Sequence, residues 1–159
     1  MTISPGYEEA FGNLLDTWTG LEPAAVNAKL RELWPELIGP LKREQGAEIV
    51  PMFRHAGFVS DCAPPYSPVA VFRGELEGTG AHGVSWSSDR KVAMHYAGAW
   101  SPAGDALVLM ARAPVAAILA RFEKDYEVVV DPSELLEVRP VLRMPHWQYA
   151  LQPPEPEPL

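Results

Sequence analysis

Val69-Ala70-Val71-Phe72-Arg73-Gly74 opens the part of the chain that decides the fold. Its β-branched and aromatic residues predict a short strand, and the Arg-Gly pair puts a cation where that strand ends. Gly83-Val84-Ser85-Trp86-Ser87 predicts a second brief extended element. Ser88 or Asp89 then caps a helix whose buried stripe is Val92, Ala93, Tyr96 and Ala97, running to about Gly98. Residues 106–111 predict another strand, and Pro114 suits the first turn of a short helix reaching about Ala120. Residues 126–130 read as a strand closed by the turn signal Asp131-Pro132, and residues 136–142 as a last strand. Many short strands with small helices between them fit an α+β domain better than regular βαβ units or a helix bundle.

Upstream, Phe11, Leu14, Leu15 and Trp18, then Leu30, Leu33, Trp34, Leu37, Ile38 and Leu41, recur at helical spacing. Pro23 sits where a helix begins, and Pro35 and Pro40 break or kink the second run, so two or three short helices are predicted over residues 6–46. Gly46, Pro51, Gly57, Pro64 and Pro65 punctuate the segment that follows, which reads mostly as loop. The closing Pro153-Pro154-Glu155-Pro156-Glu157-Pro158-Leu159 has little to bury and reads as disordered. One domain therefore accounts for the 159 residues: 1–65 as a helical and loop region, 66–150 as the core, and 151–159 as a tail.

Composition excludes several chemistries. Thirteen Lys and Arg against 21 Asp and Glu give a net charge of -8, the wrong sign for a generic duplex nucleic-acid binder. No apolar run approaches the roughly 20 residues of a membrane helix, so a soluble, cytoplasmic protein with no membrane partner is expected. The single cysteine, Cys62, allows no internal disulfide and no cysteine-rich zinc site. His55, His82, His95 and His146 form no HExxH and no pair four apart on one helix, so no metal is expected. Gly74, Gly78, Gly80 and Gly83 lack a following GK(S/T), which removes a phosphate loop. A Cys62–His nucleophile can be written, but a lone cysteine more often serves as a small hydrophobe.

Three features remain in order along the chain: Arg73 at a strand end, Ser85-Trp86-Ser87 at the next, and Glu127 inside an apolar strand. A glutamate among valines is costly unless paired or hydrogen-bonded, so it needs a partner or a task. An Arg73–Glu127 ion pair on a solvated sheet face would meet that need without any chemistry.

The segments Val71-Phe72-Arg73-Gly74, Gly83-Val84-Ser85-Trp86-Ser87-Ser88-Asp89 with Ala93 and Tyr96-Ala97, and Asp125 through Pro132 resemble the Arg-Ser-Glu class of ADP-ribosyltransferases, bacterial and phage members in particular. That class similarly has a YRG strand, a G-x-S-W-T/S strand leading into a helix with an aromatic-alanine pair, and an E-x-x-x-D-P closing strand. The likeness covers residues 69–140. It implies a fold of two small antiparallel sheets around an NAD cleft, with the N-terminal helices to one side, and NAD as co-substrate. It further implies transfer of ADP-ribose to an intracellular protein, as by toxins or phage factors acting on a host.

Residue by residue, the resemblance implies that Arg73 holds the NAD pyrophosphate, a task that suits a guanidinium fork. Gly74 would be the small residue beside it. Ser85 would steady the nicotinamide ribose and the catalytic carboxylate, with Ser87 on the same strand face and Trp86 turned to the core on the other. Tyr96 takes the place of an aromatic that packs toward the nicotinamide. Glu127 would be the catalytic carboxylate, bonding the ribose 2'-hydroxyl and stabilising the positive charge left when nicotinamide departs. The chain departs from the pattern two residues earlier: Asp125 stands where the class carries Glu or Gln, so a carboxylate with shorter reach would orient the acceptor. Arg90 and Lys91 could add phosphate charge or be simple solvated helix residues. Two other readings stay open, an NAD glycohydrolase with water as acceptor and a non-enzymatic protein-binding module on the same fold.

Overall fold

The structure is a computed structural model that describes residues 5–37, 42, 45–79, 82–146 and 155–159. Ile38, Pro40, Leu41 and Gly80, as well as residues 151–154 of the expected tail, lie outside the described residues.

Two helices open the chain, α1 (Pro5–Thr17) and α2 (Pro23–Leu33). Pro23 starts α2 as its position predicts, because its fixed φ suits the first turn and its missing N–H would be unpaired there anyway. Pro35 follows α2 and the chain tightens into a 3-10 turn, Trp34–Glu36. The segment expected to be loop contains a further helix, α3 (Val50–Ala56), again with a proline in its first turn, and it ends at Gly57 with φ +75°. Met52, Phe53 and Ala56 are the face it buries. Punctuation by Pro51 and Gly57 marked the two ends of this helix, not a loop.

The strands are β1 (Val59–Ser60), β2 (Val69–Leu76), β3 (Ser85–Ser87), β4 (Ala106–Ala113), β5 (Ile118–Phe122), β6 (Glu127–Val130), β7 (Leu136–Met144) and β8 (Glu157–Pro158). Helix α4 (Arg90–Trp100) joins β3 to β4, and Asp89 caps it by accepting from the Lys91 N–H at 2.9 Å. Past Pro114 the expected helix is only a 3-10 turn, Val115–Ala117, and the chain then extends into β5. Ile118, Leu119, Ala120 and Phe122 are all buried, so this apolar run has no amphipathic period to distinguish strand from helix.

The fold is α+β, as expected, but the expected two small sheets are one eight-stranded mixed sheet in the order β1-β5-β6-β3-β2-β4-β7-β8. β1 pairs with β5 in parallel and every other pairing is antiparallel. The halves are continuous because Phe72 of β2 pairs with Ser87 of β3, the one register pair that joins them. The last strand also differs from a disordered tail: Glu157 and Pro158 lie against Arg143 and Leu142 on β7.

Three apolar clusters hold these layers. Helices α1–α3 pack Phe11, Leu30, Trp34 and Phe53 against Leu119, Phe122 and Val129 of the β5–β6 half. Trp86 and Val128 turn to the opposite face and join a cluster with Val71 and Leu109. Helix α4 lays Ala93 and Ala97 on Val108, Leu142 and Met144 of the other half. Gly74 makes that last contact close. A Cβ there would lie 2.3 Å from Ala93 O and 2.4 Å from Ala97 N, both backbone atoms of the helix.

Candidate active site

Strand alternation decides which side chains converge. On β6, Glu127 and Val129 share a face, and Val129 belongs to the cluster that α1–α3 cover, so Glu127 points toward the N-terminal helices. On β3, Ser85 pairs with Val129 and Ser87 with Glu127, which makes Ser85 the diagonal neighbour of Glu127 on that face. The Ser85 hydroxyl donates to Glu127 Oε2 at 2.6 Å.

Glu127 is buried, 5% exposed, and three donors hold it. Besides Ser85, the Trp34 indole Nε1–H donates to Oε2 at 2.9 Å, and the Lys42 ammonium donates to Oε1 at 2.9 Å. Trp34 is fully buried between Phe11 and Phe53, with edge-on ring contacts to both. Lys42 is itself buried, with a side chain 11% exposed and Nζ 5.8 Å from the centre of the Trp34 ring. The glutamate among valines thus has the partner its burial demands, and that partner is Lys42, not Arg73.

Arg73 is buried in a separate corner. Its Nε donates to Glu75 Oε2 at 3.0 Å and its Nη1 to Ser85 O at 2.9 Å. Burial draws the guanidinium below its ordinary pKa, against the opposing pull of Glu75. Glu75 Oε1 also lies 2.9 Å from His82 Nδ1, so a line of polar contacts runs from arginine to glutamate to histidine. Gly83 gives the arginine its room: a Cβ there would sit 2.7–3.0 Å from three guanidinium atoms. Through the carbonyl and the hydroxyl of Ser85, one residue ties Arg73 to Glu127.

The turn before Glu127 is strained. Asp125 (φ 57°) and Tyr126 (φ 49°) are both in the left-handed region, which aspartate tolerates and tyrosine adopts only under constraint. β3 supplies the constraint: Ser87 Oγ donates to Asp125 O at 2.7 Å, and the Ser88 N–H to Tyr126 O at 2.9 Å. Tyr126 ends up 60% exposed beside the buried glutamate. Tyr96 of α4 reaches the same turn, its hydroxyl donating to Asp125 Oδ2 at 3.2 Å.

The expected catalytic and cofactor-binding residues (Arg73, Gly74, Ser85, Ser87, Tyr96, Asp125 and Glu127) border a single cleft of about 30 Å³. Their observed tasks within it differ. The Ser87 hydroxyl is engaged by Asp125 O and the Asp89 N–H, holding the turn and the start of α4. Gly74 has no side chain because α4 needs its space. Trp86 is core, its indole donating to Gly83 O at 2.9 Å. Arg90 and Lys91 are exposed on α4. Glu127 also borders a second hollow, with Cys62, Arg121, Glu123 and Tyr126. Among the described residues no cluster of His, Cys, Asp and Glu could hold a metal ion, and no helix is long and apolar enough to cross a membrane.

Trp34, Lys42, Glu75, His82 and Gly83 also belong to this site and are not among the catalytic or cofactor-binding residues expected from the sequence. Glu75 carried a usable signal, since it sits two residues after Arg73 and so on the same strand face. Trp34 and Lys42 carried none, because their contacts with Glu127 span 93 and 85 residues of sequence. A scan against protein-family models and searches of curated proteins and of solved structures return no match for this chain.

Proposed function

We propose that the protein is a mono-ADP-ribosyltransferase that cleaves NAD at Glu127 and transfers the ADP-ribose to a side chain of a cytoplasmic protein. The observation that carries this reading is a buried carboxylate at the edge of a cleft, its Oε2 fixed by Ser85. The reading includes the finer fold assignment, an ADP-ribosyltransferase-like core around an NAD cleft.

In this account the nicotinamide–ribose bond breaks, the bonding pair leaves with nicotinamide, and positive charge develops at the ribose. Glu127 accepts a hydrogen bond from the 2'-hydroxyl and opposes that charge, a task that rewards a carboxylate fixed before the substrate arrives. Arg73, which also lines the cleft, meets the pyrophosphate in this account, and Gly83 leaves room for its guanidinium. Tyr96 borders the space assigned to the nicotinamide ring, and Asp125 stands at the rim, where it would orient the acceptor. The acceptor atom forms the new bond to the ribose and gives up its proton. None of these steps asks for a metal ion.

The test is transfer of label from biotin-tagged NAD to proteins of a bacterial lysate. Labelled protein bands that vanish with Glu127→Gln support the transferase. NAD consumption without labelled protein would instead make the chain a glycohydrolase, and NAD binding without consumption a binding module.

A further inference from the structure

The carboxylate of Glu127 has about four acceptor positions, two on each oxygen. Ser85 and Trp34 fill both on Oε2, and Lys42 takes one on Oε1. Among the described residues one position therefore remains for a substrate hydroxyl, and it lies on Oε1 beside the Lys42 ammonium. The two contacts from the N-terminal third differ in kind. Trp34 is neutral, fully buried and wedged between aromatic rings, so it fixes where the carboxylate points. Lys42 is a cation 2.9 Å from the oxygen that has to act, in a site too buried for water to screen its charge.

We propose that Trp34 is a positioning residue for Glu127, whereas Lys42 is a counter-ion that holds the same carboxylate in check. The inference rests on the function proposed above. Oxidised nicotinamide carries a positive charge, and cleavage moves that charge onto the ribose. A lysine paired to Glu127 opposes both arrangements by cancelling the negative charge that would attract them. Lys42 lines the cleft, so the substrate meets it on the way to Oε1. The first third of the chain is then part of the reaction centre, with one residue aiding the reaction and one restraining it.

The two side chains predict changes of opposite sign: a merely structural role for Lys42 would not raise turnover, and a positioning role for Trp34 places its loss in kcat with KM and Tm little changed. Trp34→Phe keeps a ring against Phe11 and Phe53 but removes the N–H. It should lower kcat/KM for NAD by about tenfold, less than the roughly hundred- to thousandfold lost with a donor that touches the transition state itself, because Trp34 acts only through Glu127. Lys42→Gln removes the charge and leaves a neutral polar side chain one bond shorter, and it should raise kcat/KM by about fivefold. Lys42→Arg keeps the charge and should stay below the Gln variant.

Nicotinamide release is measured for wild type and the three variants, with a thermal melt of each. A faster Gln variant beside a slower Phe variant supports the inference. A Gln variant no faster than wild type, or a Phe variant that folds and turns over normally, overturns it and leaves the proposed function intact if the wild type is active. If Trp34→Phe does not fold, the lysine variants decide: Gln faster than Arg supports the restraint, and Gln no faster overturns it. No release by any of the four proteins overturns the proposed function and this inference together.

Discussion

Replacing Glu127 by glutamine tests the buried Lys42–Glu127 pair without reference to catalysis. The amide has one acceptor and one donor end, while the site offers donors on both sides: Trp34 and Ser85 at one oxygen, Lys42 at the other. Whichever way the amide turns, its N–H₂ faces a donor, and Lys42 loses its counter-ion in a place where its side chain is 11% exposed. At 2.9 Å the gross attraction is about 6 kcal/mol for an effective dielectric near 20, much of it offset by the desolvation both groups have already undergone. The expected net loss for Glu127→Gln is about 2–4 kcal/mol. For a chain of this size that lowers Tm by about 5–15 °C. Adding Lys42→Gln to the same molecule provides an amide oxygen to accept from the new N–H₂ at position 127, so the double variant should recover about 1.5–3 kcal/mol relative to the sum of the single changes. Urea unfolding of wild type, both single variants and the double variant gives the coupling directly. Additivity within about 0.5 kcal/mol would refute the pair as described.

Other consequences can be measured independently. Gly74→Ala forces helix α4 away from β2, because the new Cβ would meet Ala93 O at 2.3 Å and Ala97 N at 2.4 Å. A loss of about 1–3 kcal/mol in urea unfolding is expected, and a neutral effect would contradict the close packing. Gly83→Ala presses on the Arg73 guanidinium and not on backbone, so calorimetry should show weaker NAD binding with little change in Tm. The reverse pattern would dissociate Arg73 from the substrate. Two carboxyls lie below their ordinary range. For Asp131, the hydrogen bonds from Ser133 and Arg54 outweigh the upward push of its burial; for Asp105, the backbone N–H of His146 is the largest cause, ahead of Arg143. A lowered folded-state pKa gives stability that is present above the unfolded value, about 4, and lost as pH falls through the folded value. Thermal melts between pH 5 and pH 2 should therefore show a falling Tm, and Asp131→Asn should flatten part of that slope.

The parts of the fold that were legible in sequence are those in which local chemistry decides. Pro23 at the start of α2, Asp89 as the cap of α4 and the valine run of β6 follow from backbone preference and alternation. β5 was not legible, since a strand buried on both faces carries no period. α3 was hidden because a seven-residue helix with a proline in its first turn and a glycine at its end resembles loop punctuation until its buried face is seen. The single sheet depends on one register pair, Phe72 with Ser87, which no local pattern specifies. In the site, the diagonal neighbours Ser85 and Glu127 lie on short strands whose alternation could be read. The remainder of the carboxylate's surroundings could not be read, because Trp34 and Lys42 arrive from the N-terminal third through tertiary packing alone.

The central claim is that Glu127 cleaves NAD. The most direct measurement is free nicotinamide released from NAD by the purified chain, beside Glu127→Gln paired with Lys42→Gln so that the control stays folded. The account predicts release by the wild type and none above background by the control. Equal release by both proteins, or none by a folded wild type that binds NAD, would contradict it.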